Sequence, residues 1–458
     1  MTAGSRRLAS AILYTGGAQA LNALCGALGT YVVARALGAK DTGAYAGASA
    51  LLAVLLPLSA LGLEVGIPYR VSQRRLSLSD AVLDVRLAAL VLGLAASVVG
   101  ILAWLVVPAA FGHLELRLVI LVVAALPFAL LWGLTGVIAL SVGRYAVAAW
   151  PPSAYAVLAL LLTITLTLTD GLAGSLIAIT AAQATVAAAT VVWARRWRRQ
   201  KHTGRAPRLA ASARRLVDAA RFGFPVYVFR ATQVLSDRLD LFLVIGFAGA
   251  AAGGRYGVAL SLTAALLLLP RAVGMVLVPS LAELARSEAA ETEQLAAESR
   301  ALRHLVIVNL AAGAAMALCL VFLVPVLYGS QFAQTTVLGL ILIPGMAARG
   351  LAEALSSSLA GRARHECGRR VTSVVTPSTI ALYLAIIPTL HAIGAAVAST
   401  CAYSLSLLMW ARFYRREITP HLAAVITPSR KELREYRALL NSLGRASRQR
   451  VAHPRSAR

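Results

Sequence analysis

Apolar residues run along this chain in long stretches broken by short polar and basic segments. Each stretch holds about 18 residues or more, enough to cross a hydrocarbon core of about 30 Å as a helix. Twelve can be placed, over residues 8–35, 42–67, 86–110, 117–140, 152–169, 172–194, 222–247, 255–280, 304–328, 335–359, 371–388 and 392–413. The pattern therefore predicts an all-α integral membrane protein with about twelve transmembrane helices.

The breaks alternate in length. Those at 36–41, 111–116, 170–171, 248–254, 329–334 and 389–391 are too short for a folded domain. Those on the other side are longer: 70–85, 195–221, 282–303 and the tail from 414. Within 283–300, Glu283, Glu288, Glu291, Glu293 and Glu298 among Ala and Leu predict a surface helix between two spans. In the tail, Leu433, Tyr436, Leu439 and Leu440 at helical spacing predict a short interfacial helix, followed by a disordered Arg-, Ser- and Pro-containing end.

The chain also repeats itself. Gly43-Ala44-Tyr45 returns as Gly254-Arg255-Tyr256 and Pro68 as Pro279, both 211 residues on. Gly143-Arg144 returns as Gly361-Arg362, and Trp193-Ala194-Arg195 as Trp410-Ala411-Arg412. The unit is six spans, an even number, so the halves keep one orientation. They are then related by a pseudo-two-fold axis along the membrane normal, with the substrate between them and rocking as the motion. The expected organisation is a six-helix lobe over 1–194, a basic linker over 195–221, a second six-helix lobe over 222–413 and a basic tail over 414–458.

Composition agrees, with 59% hydrophobic and 14% charged residues and a mean hydropathy of +0.74. A net charge of +25 would point to nucleic acid in a soluble protein. Here 36 of the 44 Lys and Arg fall on the side of the long breaks, four on the other (Arg35, Lys40, Arg117, Arg255) and four within spans. That is the positive-inside bias, which places both termini in the cytoplasm, anionic membrane lipids beside the arginines and no nucleic acid among the partners. Cys25, Cys319, Cys367 and Cys401 fall in spans or a cytoplasmic break, so no disulfide framework is expected.

Charged groups in hydrocarbon cost on the order of 2.5 to 3.5 kcal/mol each, so those within spans map the interior. They are Arg230, Asp237, Arg238 and Asp240 in the seventh span, Arg271 in the eighth, and Arg349 with Glu353 in the tenth; Glu64 and Arg35 lie near span ends. Arg349 and Glu353, four apart, share a helix face and can neutralise each other. Arg230 and Asp237 are about 10 Å apart along the axis and need other partners. The arginine forks suit a phosphate group, so these nine residues are candidates for a cavity receiving a pyrophosphate. None of Lys40, Lys201 and Lys431 precedes Ser or Thr, so there is no P-loop, and neither a metal-ligand spacing nor a Ser nucleophile elbow is present. No cofactor or metal is expected, and the chain does not read as an enzyme.

Three blocks carry a family resemblance: Ala34-Arg35-Ala36-Leu37-Gly38 with Gly43-Ala44-Tyr45; Phe222-Gly223-Phe224-Pro225 with Ser236-Asp237-Arg238-Leu239-Asp240 and Gly254-Arg255-Tyr256; and Gly361-Arg362 with Ile393-Gly394-Ala395-Ala396. Over residues 1 to about 415 the chain resembles the polysaccharide and lipid-linked-oligosaccharide flippases of the multidrug/oligosaccharidyl-lipid/polysaccharide exporter superfamily. The resemblance implies two six-helix lobes around a central cationic cavity. It also implies a polyprenyl-diphosphate-linked glycan as substrate, moved from the inner to the outer leaflet of the cell membrane for surface polysaccharide synthesis. Asp240, Arg238 and Arg35 match polar positions of the family's helices seven and one. The basic tail and the low aromatic content, 6%, depart from the pattern. The competing readings are a cation-coupled multidrug antiporter of the same superfamily, a peptidoglycan-precursor flippase, and a non-transporting scaffold that recruits polysaccharide-synthesis enzymes.

Overall fold

The computed structural model describes residues 3–112, 114–200, 211–284, 291–362, 364 and 366–427. Among them the chain is helical without strands, and eight helices are long and apolar enough to cross a membrane. The α-helices are α1 (Ala3–Ser59), α2 (Leu63–Ser72), α3 (Leu78–Val106), α4 (Leu116–Val123), α5 (Leu126–Ser141), α6 (Tyr145–Gln200), α7 (Ser212–Thr263), α8 (Leu268–Leu284), α9 (Glu291–Tyr328), α10 (Ala333–Gly361), α11 (Glu366–Glu417) and α12 (Leu422–Ile426). Side chains such as Leu168, Leu310, Leu318 and Phe322 point outward. So broad an apolar exterior belongs in lipid, and the chain is a multi-pass membrane protein.

Four of the long helices are each two helices meeting at one non-helical residue: Gly38 in α1, Gly171 in α6, Gly249 in α7 and His391 in α11. Gly38 and Gly249, at φ 76° and 83°, occupy backbone space that a side chain disfavours. They stand 211 apart, in register with the sequence repeat. Just beyond them α1 and α7 touch reciprocally. A methyl on Gly43 would overlap the Ala250 carbonyl, and one on Gly254 would overlap the Ala39 carbonyl.

The opposite ends of the helices, where Arg70 meets Asp218 and Arg364 meets Glu417, form the basic face. There α2 packs on the start of α7 through backbone, Gly62 on Gly223 and Gly66 on Ala219. Arg215 donates from Nε and Nη2 to the buried Asp84 at 2.8 and 2.7 Å, and Ser212 bonds the same carboxylate. The expected linker is thus helical on both sides of 201–210, which lie outside the described residues, and its second part docks onto α2 and α3. Among the described residues no such seam joins α1 to α8, where a methyl on Gly16 would meet only the tip of Met275, at 3.8 Å.

One expectation changes. The surface helix anticipated at 283–300 is, from Glu291, the first turns of the continuous α9, and Glu298 is fully buried. It bonds Ser358 and, at 2.7 Å, Arg362, because the inward face of these turns packs under the end of α10. The tail folds back as α12, whose Leu422 and Val425 pack on Leu302 and Leu305 while Arg303 donates to the Ala424 and Val425 carbonyls. The helix expected around Leu433 lies outside the described residues.

Candidate functional site

A cavity of about 660 Å³ opens among α7, α8, α10 and α11, with Gln19 of α1 at its edge. Its charges come from three helices. Arg349 on α10 donates from Nη1 and Nη2 to both carboxylate oxygens of Asp237 on α7, at 3.1 and 2.8 Å. Its Nε points to Glu353 one turn on, at 3.3 Å, and the other oxygen of Glu353 meets Nε of Arg271 on α8, also at 3.3 Å. The four groups form a chain, Asp237–Arg349–Glu353–Arg271, whose charges cancel.

Exposure grades this chain from anchor to free end. The Arg349 side chain is 15% exposed and sits 5.0 Å over the Tyr403 ring, whereas Arg271 is 48% exposed with a single acid partner among the described residues, Glu353. One bidentate pair of bonds, a single bond and a ring hold Arg349, whereas Arg271, which also lines the cavity, is held by a single bond among the described residues. Phe229, Tyr383 and Trp410 add aromatic wall, and Ser357, Thr376 and Ser406 add hydroxyls.

Behind the wall lies a second polar cluster. Asp240 is wholly buried. It accepts from Tyr256 Oη at 2.6 Å, from the Leu241 amide at 2.7 Å and from Ser399 Oγ at 3.4 Å. Tyr383, which lines the cavity, is 3.0 Å from Ser399, so the cluster and the cavity share a wall residue.

Of the nine residues singled out in the sequence, Asp237, Arg271, Arg349 and Glu353 line the cavity together. The other five stand elsewhere. Arg230 faces Glu64 at 3.7 Å where α7 meets α2. Asp240 is in the buried cluster, and Arg35 is exposed beside Gly329 at the far face. Arg238 is exposed on α7 and makes no hydrogen bond or ion pair among the described residues. The expected convergence of all four mid-span arginines is thus a convergence of two, because Arg230, two turns before Asp237, reaches Glu64 instead, and Arg238, one residue after Asp237, falls about 100° round the helix from it. Sequence reasoning passed over Gln19, Tyr403 and Trp410, uncharged residues that stand out only once the helices are assembled.

The sequence matches the family described as polysaccharide biosynthesis protein over residues 32–337. The chain belongs to that family. Solved structures place the family member's fold in the same group as known membrane transporters. The lipid II flippase MurJ in an inward closed conformation is similar with a TM-score of 0.70 at 13% identity, covering 88% of this chain and 87% of that one. A multidrug resistance MATE family transporter of the MOP superfamily in an inward-facing conformation gives a TM-score of 0.68 at 14% identity, covering 87% and 95%. An outward-facing structure of such a transporter gives 0.60 at 15%, covering 92% and 99%. At these identities the likeness is one of fold. No curated protein matches the sequence of this family member significantly.

Proposed function

We propose that this protein is a secondary flippase that moves a polyprenyl-diphosphate-linked oligosaccharide from the cytoplasmic to the outer leaflet of the cell membrane. The observation that carries the reading is the cavity, where half-exposed Arg271 makes one hydrogen bond among the described residues, at the end of a cluster whose four charges cancel. A diphosphate can compete with Glu353 for that guanidinium, while the prenyl tail stays in lipid. The family and the MurJ likeness support a lipid-linked glycan as cargo.

The route follows from the packing. Dividing four of the eight long helices at their kinks gives twelve crossings, and the reciprocal contact at Gly43 and Gly254 fits two six-helix lobes about a pseudo-two-fold axis. Backbone contact seals the lobes at the far face, and between α2 and α7 at the basic face. The looser α1–α8 side is then the entry from the basic-face leaflet, which the positive-inside bias assigns to the cytoplasm.

The buried Asp240 cluster favours a second reading, a cation-coupled multidrug antiporter, since a carboxylate held by hydroxyls beside a cavity could exchange a cation. Deleting the gene separates the two. Loss of a surface polymer, with its lipid-linked unit accumulating on the inner leaflet, is the flippase result. Unchanged glycans with raised sensitivity to cationic drugs is the antiporter result and would overturn the first reading.

A further inference from the structure

The first half of the chain holds a smaller pocket of about 230 Å³, walled by α1, α5 and α6 and capped by the α4–α5 junction. Its chemistry differs from that of the charged cavity. The wall has no charged group; its polar groups are the Tyr45 and Tyr155 hydroxyls, the Ser49 hydroxyl and the Gln183 amide, set among Leu and Ala. Trp132 fixes the amide by donating from Nε1 to Gln183 Oε1 at 2.6 Å, and the Tyr155 hydroxyl is a second hydrogen-bond partner of Gln183, so amide and phenol form one polar edge of the wall. The Trp132 and Tyr155 rings stack at 6.1 Å between centroids, 25° from parallel. Ser49 Oγ, shut off from solvent, stands against the Tyr45 hydroxyl.

Packing alone would leave such a spot dry and filled. A site of this size exceeds the roughly 30 Å³ of a single water and falls short of the roughly 300 Å³ at which drug-sized pockets begin. Neutral donors and acceptors beside an aromatic face fit a neutral ring bearing hydroxyls, with apolar ring faces against Tyr155 and hydroxyls on the amide and Ser49. A phosphate would find no cation there, and an ammonium no carboxylate.

We infer that this pocket is a glycan subsite that takes one sugar ring of the substrate, separate from the arginine-bearing cavity. The inference rests on the flippase reading, in that the cargo must carry a sugar. The division of labour is then by lobe: the second half grips the anionic end and the first half the neutral end.

The test places a photo-crosslinking p-benzoylphenylalanine in the full-length chain, in its own cells, at Leu52 in the pocket or at Met275 in the charged cavity, and probes adducts with a glycan-oxidising label. Glycan-bearing adducts at both positions, with the Leu52 adduct falling at least tenfold on adding Gln183→Leu with Tyr155→Phe, are expected. Adduct at Met275 alone overturns the subsite and leaves the flippase reading standing, as does a Leu52 adduct that the double substitution does not reduce. Adduct at neither position overturns both. Surface labelling of each variant confirms insertion, and Ser49→Ala, a smaller change, should lower the Leu52 adduct by a few-fold if the doubly substituted protein fails to accumulate.

Discussion

Arg349 and Asp237 are joined by two parallel hydrogen bonds, 3.1 and 2.8 Å long, across the interface of α10 and α7. Arg349 is the more buried partner, and without Asp237 it keeps only Glu353 and the Tyr403 ring. Asp237→Ala should destabilise the protein by about 1.5–3 kcal/mol, the worth of a hydrogen bond to a charged group, read as a lowered Tm of the purified protein. Arg349→Ala should cost a similar amount, and the double variant less than the two together.

Arg271 differs because it is half-exposed and is held only by Glu353 among the described residues. Arg271→Ala should abolish export with membrane insertion and Tm nearly unchanged. Quantifying surface polymer beside the inserted protein checks this, and normal export by the variant would remove Arg271 from substrate handling.

Gly43 and Gly254 touch their partners in the same way, so they should fail in the same way. Gly43→Val and Gly254→Val each force a side chain onto a backbone carbonyl, at a cost of about 1–3 kcal/mol or more. Both should part the far-face seam. A cysteine at Ala46, in a background free of the four native cysteines, should become several-fold more reactive to an impermeant maleimide in either variant.

Arg215 and Asp84 fasten the start of α7 to α3. Arg215→Ala leaves Asp84, 1% exposed, with Ser212 as its remaining hydrogen-bond partner among the described residues. The expected loss is about 3–5 kcal/mol. Hydrogen exchange should rise over 212–221 first, and equal protection in the variant and the parent would show the clasp to be dispensable.

Tyr256 is the principal donor to Asp240. Tyr256→Phe should cost about 1.5–3 kcal/mol, the worth of a hydrogen bond to a charged group. Combined with Asp240→Asn it should cost less than the sum, and strict additivity in unfolding experiments would mean the two act independently.

The sequence made the framework legible because hydrocarbon imposes long apolar runs and the repeat imposes register: Gly38 and Gly249 take the same left-handed backbone at the same point of each half. Helical spacing also made the Arg349–Glu353 contact legible. What stayed hidden depends on which helices pack together. Nothing local to Asp237 says that its partner is 112 residues away, or that Arg230, on the same helix, turns to Glu64 instead. Glu298 was read as surface from its neighbours' charges, and only the packing of α9 under Arg362 buries it. The neutral pocket around Gln183 carried no charge to draw notice, and Tyr45, repeated as Tyr256, was its one periodic signal.

The charges of Asp237, Arg349, Glu353 and Arg271 sum to zero, so on the flippase proposal that cluster would carry no net gating charge in moving between the two sides of the membrane. The voltage would then act on the cargo. A dianionic diphosphate leaving a negative interior would gain about 4.6 kcal/mol per 100 mV, at about 2.3 for each charge, so the resting potential itself would draw a loaded carrier outward and let an empty one return unopposed.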